Sequence, residues 1–271
     1  MRALIFDCDG VLADTERDGH LVAFNQMWRE SGVNWQWTLD QYAEKLKIGG
    51  GKERIASLGR DADFRAAYNV PVSDDAWLAT VAQWHKRKSD LFQQLVMSGA
   101  LPGRPGVKRL AQEAREKGWT LAVCSTSAVA SVQAVLQSVM GEELAASFAG
   151  VFAGDIVKAK KPAPDIYDYA VEKLGLSPGD CVVIEDSRNG LLAATAAHMA
   201  CVITTNGLTE REDFSEAALV VDSLGDPDQP ARVMANRSAA RPAQMVTVAD
   251  LDAVLAGTGH AGTRGQREAR R

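Results

Sequence analysis

Two apolar runs in this sequence stop abruptly in carboxylates. The first is Phe6-Asp7-Cys8-Asp9-Gly10-Val11, where Asp7 and Asp9, two residues apart at a strand end, project toward one side. Crowded carboxylates repel one another, and a bound cation relieves that repulsion. The second is Val182-Val183-Ile184-Glu185-Asp186-Ser187, where the acids are adjacent. Hard oxygen donors of this kind suit Mg²⁺, which takes one or two carboxylates, substrate phosphate and water. Each stretch alone also has a purely structural reading, an Asp-Gly turn in one case and a helix cap in the other.

Two further segments could handle a phosphate. Leu121-Ala122-Val123-Cys124-Ser125-Thr126-Ser127 ends a third apolar run in hydroxyls just before a helix, and free backbone N–H groups at a helix start hold anions. Lys160-Lys161-Pro162-Ala163-Pro164-Asp165 holds a lysine extended before a proline, where it could neutralise a transferring phosphoryl group. Taken singly, these are ordinary N-caps and a surface lysine pair.

These segments need a scaffold that brings strand ends to one edge. Apolar runs at 3–7, 120–124, 181–185 and 200–204, with weaker ones at 151–153 and 219–222, alternate with helical patterns at 106–117, 128–139, 165–174 and 187–198. That alternation predicts an α/β fold, a doubly wound parallel sheet with helices on both faces, whose ligands bind outside the carboxyl ends of the strands. Residues 16–98 break the pattern. They contain amphipathic helical stretches around 16–31, 38–46, 51–59 and 75–97, and five of the six tryptophans. This predicts an inserted helical domain with its own aromatic core. The expected division is 1–15 with 99–225 as the core domain and 16–98 as the insertion. A C-terminal loop and helix at 226–256 would pack on the core, and 257–271 would form a disordered tail.

The rest of the composition excludes more than it suggests. The 271 residues carry a net charge of −5, which gives no electrostatic reason to bind nucleic acid or an anionic membrane. No apolar run approaches the ~20 residues that span a bilayer. Cys8, Cys124, Cys181 and Cys201 show no metal-ligand spacing and read as reduced, packed thiols. Met1-Arg2 leads straight into a strand without a signal-peptide pattern, so a cytoplasmic protein, acting as a monomer on a small molecule, is the expectation.

In order and position, the four segments resemble the haloacid dehalogenase superfamily over residues 1 to about 225: Asp-x-Asp-Gly, a strand-ending Ser/Thr, Lys-Pro and Glu-Asp. The resemblance implies a Rossmann-like core with a helical cap and a Mg²⁺-dependent phosphatase. In that reading Asp7 attacks phosphorus, while Asp9 protonates the leaving oxygen and then activates water. Mg²⁺ would sit between the Asp7 carboxylate, the Asp9 backbone carbonyl and Asp186, with Glu185 nearby. Ser125, Thr126 and Ser127 would hold phosphoryl oxygens, and Lys161 would balance the charge. Asp9 also speaks for a phosphate over a halide, since an alkoxide leaving group needs a proton.

Within the insertion, Asp14-Thr15-Glu16-Arg17-Asp18-Gly19-His20 and Gly50-Gly51-Lys52-Glu53-Arg54-Ile55, together with Lys161-Pro162-Ala163-Pro164-Asp165-Ile166-Tyr167, are most similar to the CbbY subfamily. That similarity implies a sugar phosphate substrate, with xylulose-1,5-bisphosphate foremost, in carbon-fixing cells. Lys52 would then reach a substrate phosphate, with Arg54 beside it and Thr15, Glu16 and His20 lining the interface. Arg104, and Asn189 next to Gly190, complete the substrate-binding candidates. The related sugar phosphomutases and some phosphatases carry lysine or asparagine where this chain has Ala128-Val129-Ala130, which weighs against a mutase and requires Lys52, Arg54 or Arg104 to hold the distal phosphate of a bisphosphate. The alternatives are a β-phosphoglucomutase, a broad phosphatase for phosphoglycolate and sugar phosphates, and a non-catalytic binding relative.

Overall fold

Strand β1 (Ala3–Phe6) is only four residues long, yet every one is buried, because it lies in the middle of a sheet covered on both sides. The computed structural model describes residues 1–71 and 73–258. The remaining strands are β2 (Thr120–Ser125), β3 (Gly150–Ala153), β4 (Cys181–Glu185), β5 (Ala200–Thr204), β6 (Leu219–Val221) and β7 (Val233–Asn236). They form one sheet in the order β3-β2-β1-β4-β5-β6-β7, parallel except for β7. Because β1 is flanked by β2 and β4, the chain ends of three strands emerge side by side: Asp7, the Ser125 segment and Glu185-Asp186.

The two-residue period of the strands divides the core into two layers. Leu4, Phe6, Leu121, Val123, Val182 and Ile184 face helices α6 (Val107–Glu116), α7 (Val129–Met140) and α11 (Val248–Thr258). Ala3, Ile5, Ala122, Cys124 and Val183 face α9 (Asp165–Leu174) and α10 (Arg188–Ala196). The doubly wound α/β architecture follows the alternation in the sequence. All four cysteines are free and buried. No described helix is long and apolar enough to cross a membrane.

Between β1 and β2 the chain is helical: a π-helical turn at Glu16–His20, then α1 (Leu21–Glu30), α2 (Leu39–Leu46), α3 (Gly51–Ser57), α4 (Ala62–Ala67) and the 24-residue α5 (Asp74–Met97). Its interior is aromatic. Trp28 and Trp37 meet edge to face at 4.6 Å, and Phe64 gathers Trp35, Trp77 and Trp84 around it. The two strands of chain that lead into and out of this segment are themselves joined. Ala13 pairs antiparallel with Gly103, and the Arg104 amide donates to the Leu12 carbonyl at 2.9 Å.

Two expectations change. A short helix, α8 (Glu142–Ala146), precedes β3, and the stretch expected as a long loop at 225–245 contains β7. Val233-Met234-Ala235-Asn236 carries no apolar alternation because it is an edge strand with both faces largely open to water. The C-terminal helix, α11, packs against β4, β5 and α6. The expected disordered tail falls almost wholly on residues 259–271, outside the described residues.

Candidate functional site

Asp7 and Asp9 leave β1 and enter a turn that glycine makes possible. Gly10 has φ +76°, and a Cβ there would lie 2.1 Å from the Asp186 carboxylate. The bare backbone lets the β1 turn pass directly beneath the end of β4. Here the carboxylates of Asp7, Glu185 and Asp186 come within 4.8 Å of one another, all buried. Burial and the neighbouring charges of Glu185 and Asp7 push the Asp186 carboxyl well above the usual range, so this cluster lacks positive charge. A divalent cation with oxygen ligands fits that deficit, and Asp7 and Asp186 are the residues that would hold it.

Lys161 supplies what positive charge there is. Its ammonium is 2.7 Å from Asp7 Oδ1 and 2.6 Å from Glu185 Oε1, and it donates to the Cys124 carbonyl at 2.8 Å. Burial opposes that charge, but Asp7 and Glu185 outweigh it and hold the lysine protonated well beyond its usual range. The Asp7 carboxyl is itself pushed up, to about 8, chiefly by burial, with Lys161 opposing and Glu185 and Asp9 adding to it. Glu185 is fully engaged. Oε1 also accepts from the Tyr167 hydroxyl at 2.6 Å, and Oε2 accepts from the Asp186 amide at 3.2 Å. Glu185, expected as a nearby or water-mediated metal ligand, stands in the carboxylate cluster and also anchors Lys161.

Asp9 points a different way. Its carboxylate accepts from Thr15 Oγ1 at 2.6 Å, from the Ser127 hydroxyl and from His20 Nε2 at 2.7 Å. Burial raises its pKa, but the His20 charge and these three donors more than offset that and hold it well below the usual carboxylate range. Behind His20 lies Lys88, whose Nζ is 2.7 Å from Nδ1. Burial lowers the Lys88 pKa to about 8. A Lys88 ammonium donating to Nδ1 leaves Nε2 to present its hydrogen to Asp9. His20 also stacks on Phe92 at 3.9 Å, which fixes the ring.

These groups open into one cavity of about 310 Å³ between the strand ends and the helical segment. Asp7, Asp9, Ser125, Thr126, Ser127, Lys161, Glu185 and Asp186 line its floor, and Glu16, His20, Arg54 and Asn189 line it from above and the rim. Arg54 is buried in the helical layer, donating to the Tyr42 hydroxyl and the Ile48 carbonyl, both at 3.0 Å, and lying 3.5 Å from Glu16. The Glu16 carboxylate accepts from the Tyr42 hydroxyl. Ser125 is buried and accepts from the Ser127 amide at 3.1 Å.

Several expected binders stand elsewhere. Lys52 does not line the cavity. Its ammonium pairs at 2.7 Å with Asp155, on the loop after β3, and Lys160 bridges Asp155 at 3.0 Å and Glu53 at 2.8 Å. Arg104 is a strut within the protein. Its guanidinium donates to the carbonyls of Gly10, Thr204 (3.3 Å), Thr205 (2.6 Å) and Asp222 (2.7 Å), with no donor directed into the cavity. Position 190 has no side chain to offer. A Cβ on Gly190 would stand about 2 Å from the Glu185 carboxylate, so the glycine makes room for that residue. Asn189 donates to the Lys47 carbonyl at 3.2 Å, tying α10 to the helical layer.

Sequence reasoning passed over Lys88, Tyr167, His85 and Asn206. Tyr167 lies within a stretch already singled out, three residues after Pro164. Lys88 sits in an exposed-looking Lys86-Arg87-Lys88 run, with nothing to mark it as the buried one. His85 lines the cavity, and burial followed by the charges of Lys88, Lys52 and Lys160 pulls its pKa down to about 4.

Comparison with known proteins agrees with the geometry. Residues 1–198 match the family model for haloacid dehalogenase-like hydrolases. A CbbY-like protein of Arabidopsis thaliana is 45% identical over 227 residues, covering 84% of this chain and 70% of that protein. The plasmid-borne CbbY of Cupriavidus necator is 42% identical over 230 residues, 85% of this chain and 88% of its own length. Among solved structures, CbbY from Rhodobacter sphaeroides in complex with phosphate superposes with a TM-score of 0.75 at 36% identity, covering 82% of this chain and 94% of that one. A mutant of that protein, with the same scores, was solved in complex with xylulose-1,5-bisphosphate. The chain belongs to the haloacid dehalogenase-like hydrolases and is similar to CbbY proteins along more than four-fifths of its length.

Proposed function

We propose that this chain is a Mg²⁺-dependent phosphatase of small sugar phosphates, with xylulose-1,5-bisphosphate as its substrate and Asp7 as nucleophile. The observation that carries the reading is the division of labour between the two aspartates. Asp7 is 2.7 Å from Lys161 on the cavity floor, while Asp9 is turned away from the carboxylate cluster and held by Thr15, His20 and Ser127. Without a cation the surroundings push Asp7 up and Asp9 down, the reverse of what a nucleophile and a general acid need, so the cation that Asp7 and Asp186 would hold is required to keep Asp7 ionised.

The Asp7 carboxylate attacks phosphorus, forming an O–P bond as the bond to the sugar oxygen breaks. Asp9, ionised in the arrangement described, must first take up a proton, for which the hydrogen on His20 Nε2 is the nearest source, and it then delivers that proton to the sugar oxygen, so that the sugar leaves as an alcohol. Asp9, now ionised, takes a proton from water. The water oxygen bonds to phosphorus, the Asp7–P bond breaks, and phosphate and free Asp7 result. Mg²⁺, which Asp7 and Asp186 would hold, would supply countercharge for the phosphoryl oxygens. Lys161 keeps the Asp7 carboxylate oriented, and the hydroxyls of Ser125 and Thr126 stand at the cavity floor where phosphoryl oxygens would lie. The helical segment acts as the cap, its Arg54 and Glu16 facing the sugar. Lys52 reaches substrate only after exchanging its partner Asp155 for a phosphate.

The test is phosphate release across a panel headed by xylulose-1,5-bisphosphate, with Mg²⁺ and then with excess EDTA. Strong Mg²⁺-dependent preference for that compound is the expected result. Release spread over phosphoglycolate and other sugar phosphates would replace the substrate and keep the chemistry. No release, with isomerisation of a primed hexose 1-phosphate, would replace the phosphatase by a mutase.

A further inference from the structure

Asn206 follows β5 and belongs to none of the motifs above, yet its side chain reaches the carboxylate cluster. Nδ2 donates to Asp186 Oδ2 at 2.7 Å. Among the described residues no other donor takes an Asp186 side-chain oxygen. The carboxamide is held from its far side as well. Oδ1 accepts from the Leu208 amide at 2.9 Å, and the Asn206 amide donates to Thr209 Oγ1 at 3.2 Å. This closed turn leaves the amide one orientation, with its NH₂ toward Asp186.

The turn is in turn fixed to the catalytic strand. Arg104 clasps the carbonyls of Thr204 and Thr205, immediately before Asn206, and with the same guanidinium the carbonyl of Gly10, immediately after Asp9. Gly10 lies under both partners, since a Cβ there would be 2.1 Å from Asp186 Oδ2 and 2.9 Å from Asn206 Nδ2. One buried cation thus sets the distance between the β1 turn and the Asn206 turn, and Asn206 passes that setting to Asp186.

We infer that Asn206 is a positioning residue for the divalent cation: by holding Oδ2, it aims the other oxygen of Asp186 at the metal beside Asp7. The inference rests on the cation site read at Asp7 and Asp186. A carboxylate that accepts such a bond keeps one rotamer and is a better-ordered ligand. Partners of this kind behind a metal ligand typically change affinity by about 10- to 100-fold. Arg104 acts one step further back, through the Asn206 turn.

The experiment titrates the purified, substrate-free protein with Mn²⁺ alone and counts free Mn²⁺ by electron paramagnetic resonance. Asn206→Ala removes the donor. Asn206→Ser also removes it, being one atom shorter, but keeps an oxygen for the Leu208 amide and so preserves the turn. Both variants are expected to bind Mn²⁺ about tenfold more weakly than the parent, and Asn206→Ser to keep an unchanged thermal midpoint without metal. In phosphatase assays the Mg²⁺ concentration for half-activation rises by the same factor, while KM for the phosphate substrate at saturating Mg²⁺ stays put. Mn²⁺ affinity within twofold of the parent in both variants would overturn the inference while leaving the phosphatase reading intact. Absence of Mn²⁺ binding in the parent would overturn both.

Discussion

His20 joins Asp9 to Lys88: Nε2 is 2.7 Å from the aspartate and Nδ1 is 2.7 Å from the lysine, and all three are buried. Asp9 lies on the turn after β1, whereas His20 and Lys88 both come from the helical segment, so the aspartate proposed as general acid is braced by the helical layer. The protonation state of Asp9 therefore depends on how that layer sits, whereas Asp7 depends only on core residues.

Asp7→Asn removes the carboxylate proposed as nucleophile without changing shape. Turnover is expected to fall by at least about 10⁴-fold, a loss of roughly 5 kcal/mol or more of transition-state stabilisation, while the circular dichroism spectrum is retained. Activity near the parent level in that variant would remove Asp7 from the mechanism.

Lys52 is about two-fifths exposed, and its pair with Asp155 is a surface ion pair. Such pairs contribute at most about 1 kcal/mol. Lys52→Ala should leave the thermal midpoint within a few degrees and raise KM about tenfold, as expected if the lysine captures a substrate phosphate. An unchanged kcat/KM would return it to an ordinary surface charge.

Gly190→Ala places a methyl where the Glu185 carboxylate lies. Glu185 must swing away, releasing Lys161 and Tyr167. A stability loss of about 1–3 kcal/mol in urea unfolding is expected from overpacking, accompanied by a fall in kcat far larger than after Asn189→Ala. Equal kcat for the two variants would mean that Glu185 has no part in holding Lys161.

His85 carries a pH signature. Its folded pKa is about 4, below the usual 6.5, because burial and neighbouring lysines disfavour its charged form. Between those values the unfolded chain binds a proton that the native state does not, so stability falls as pH drops from about 6.5 toward 4. Parent protein should lose on the order of 1–2 kcal/mol through this group between pH 7 and pH 5, and His85→Gln should lose correspondingly less. Parallel urea midpoints across that range in the two proteins would remove His85 as the cause.

The parts of the site legible in sequence are those where an apolar strand ends in a polar residue: Asp7, Ser125 and Glu185-Asp186. Strand order then brings those ends together, and the alternation of strands and helices implied such a sheet. What was not legible depends on approach across the fold. Lys88 reaches His20 over 68 positions. Arg104, in a Pro-Gly linker, looks like a free surface cation, and only the arrival of three carbonyl-bearing turns around it reveals a strut. Lys52 was expected toward a phosphate, but the loop that holds Asp155 lies about a hundred residues away and leaves no local trace. Strand β7 lacked the apolar alternation that marks a strand because both of its faces are largely open to water.

The antiparallel pairing of Ala13 with Gly103, reinforced by the bond from Arg104 to Leu12, has a mechanical meaning. Two independent tethers would let the helical segment slide, tilt and twist over the core. Stitched side by side, they act as a single ribbon that bends but resists shear. Any movement of the helical segment over the cavity would then reduce to a swing about one line, like a page turning at its binding, and would return His20 to the same place beside Asp9.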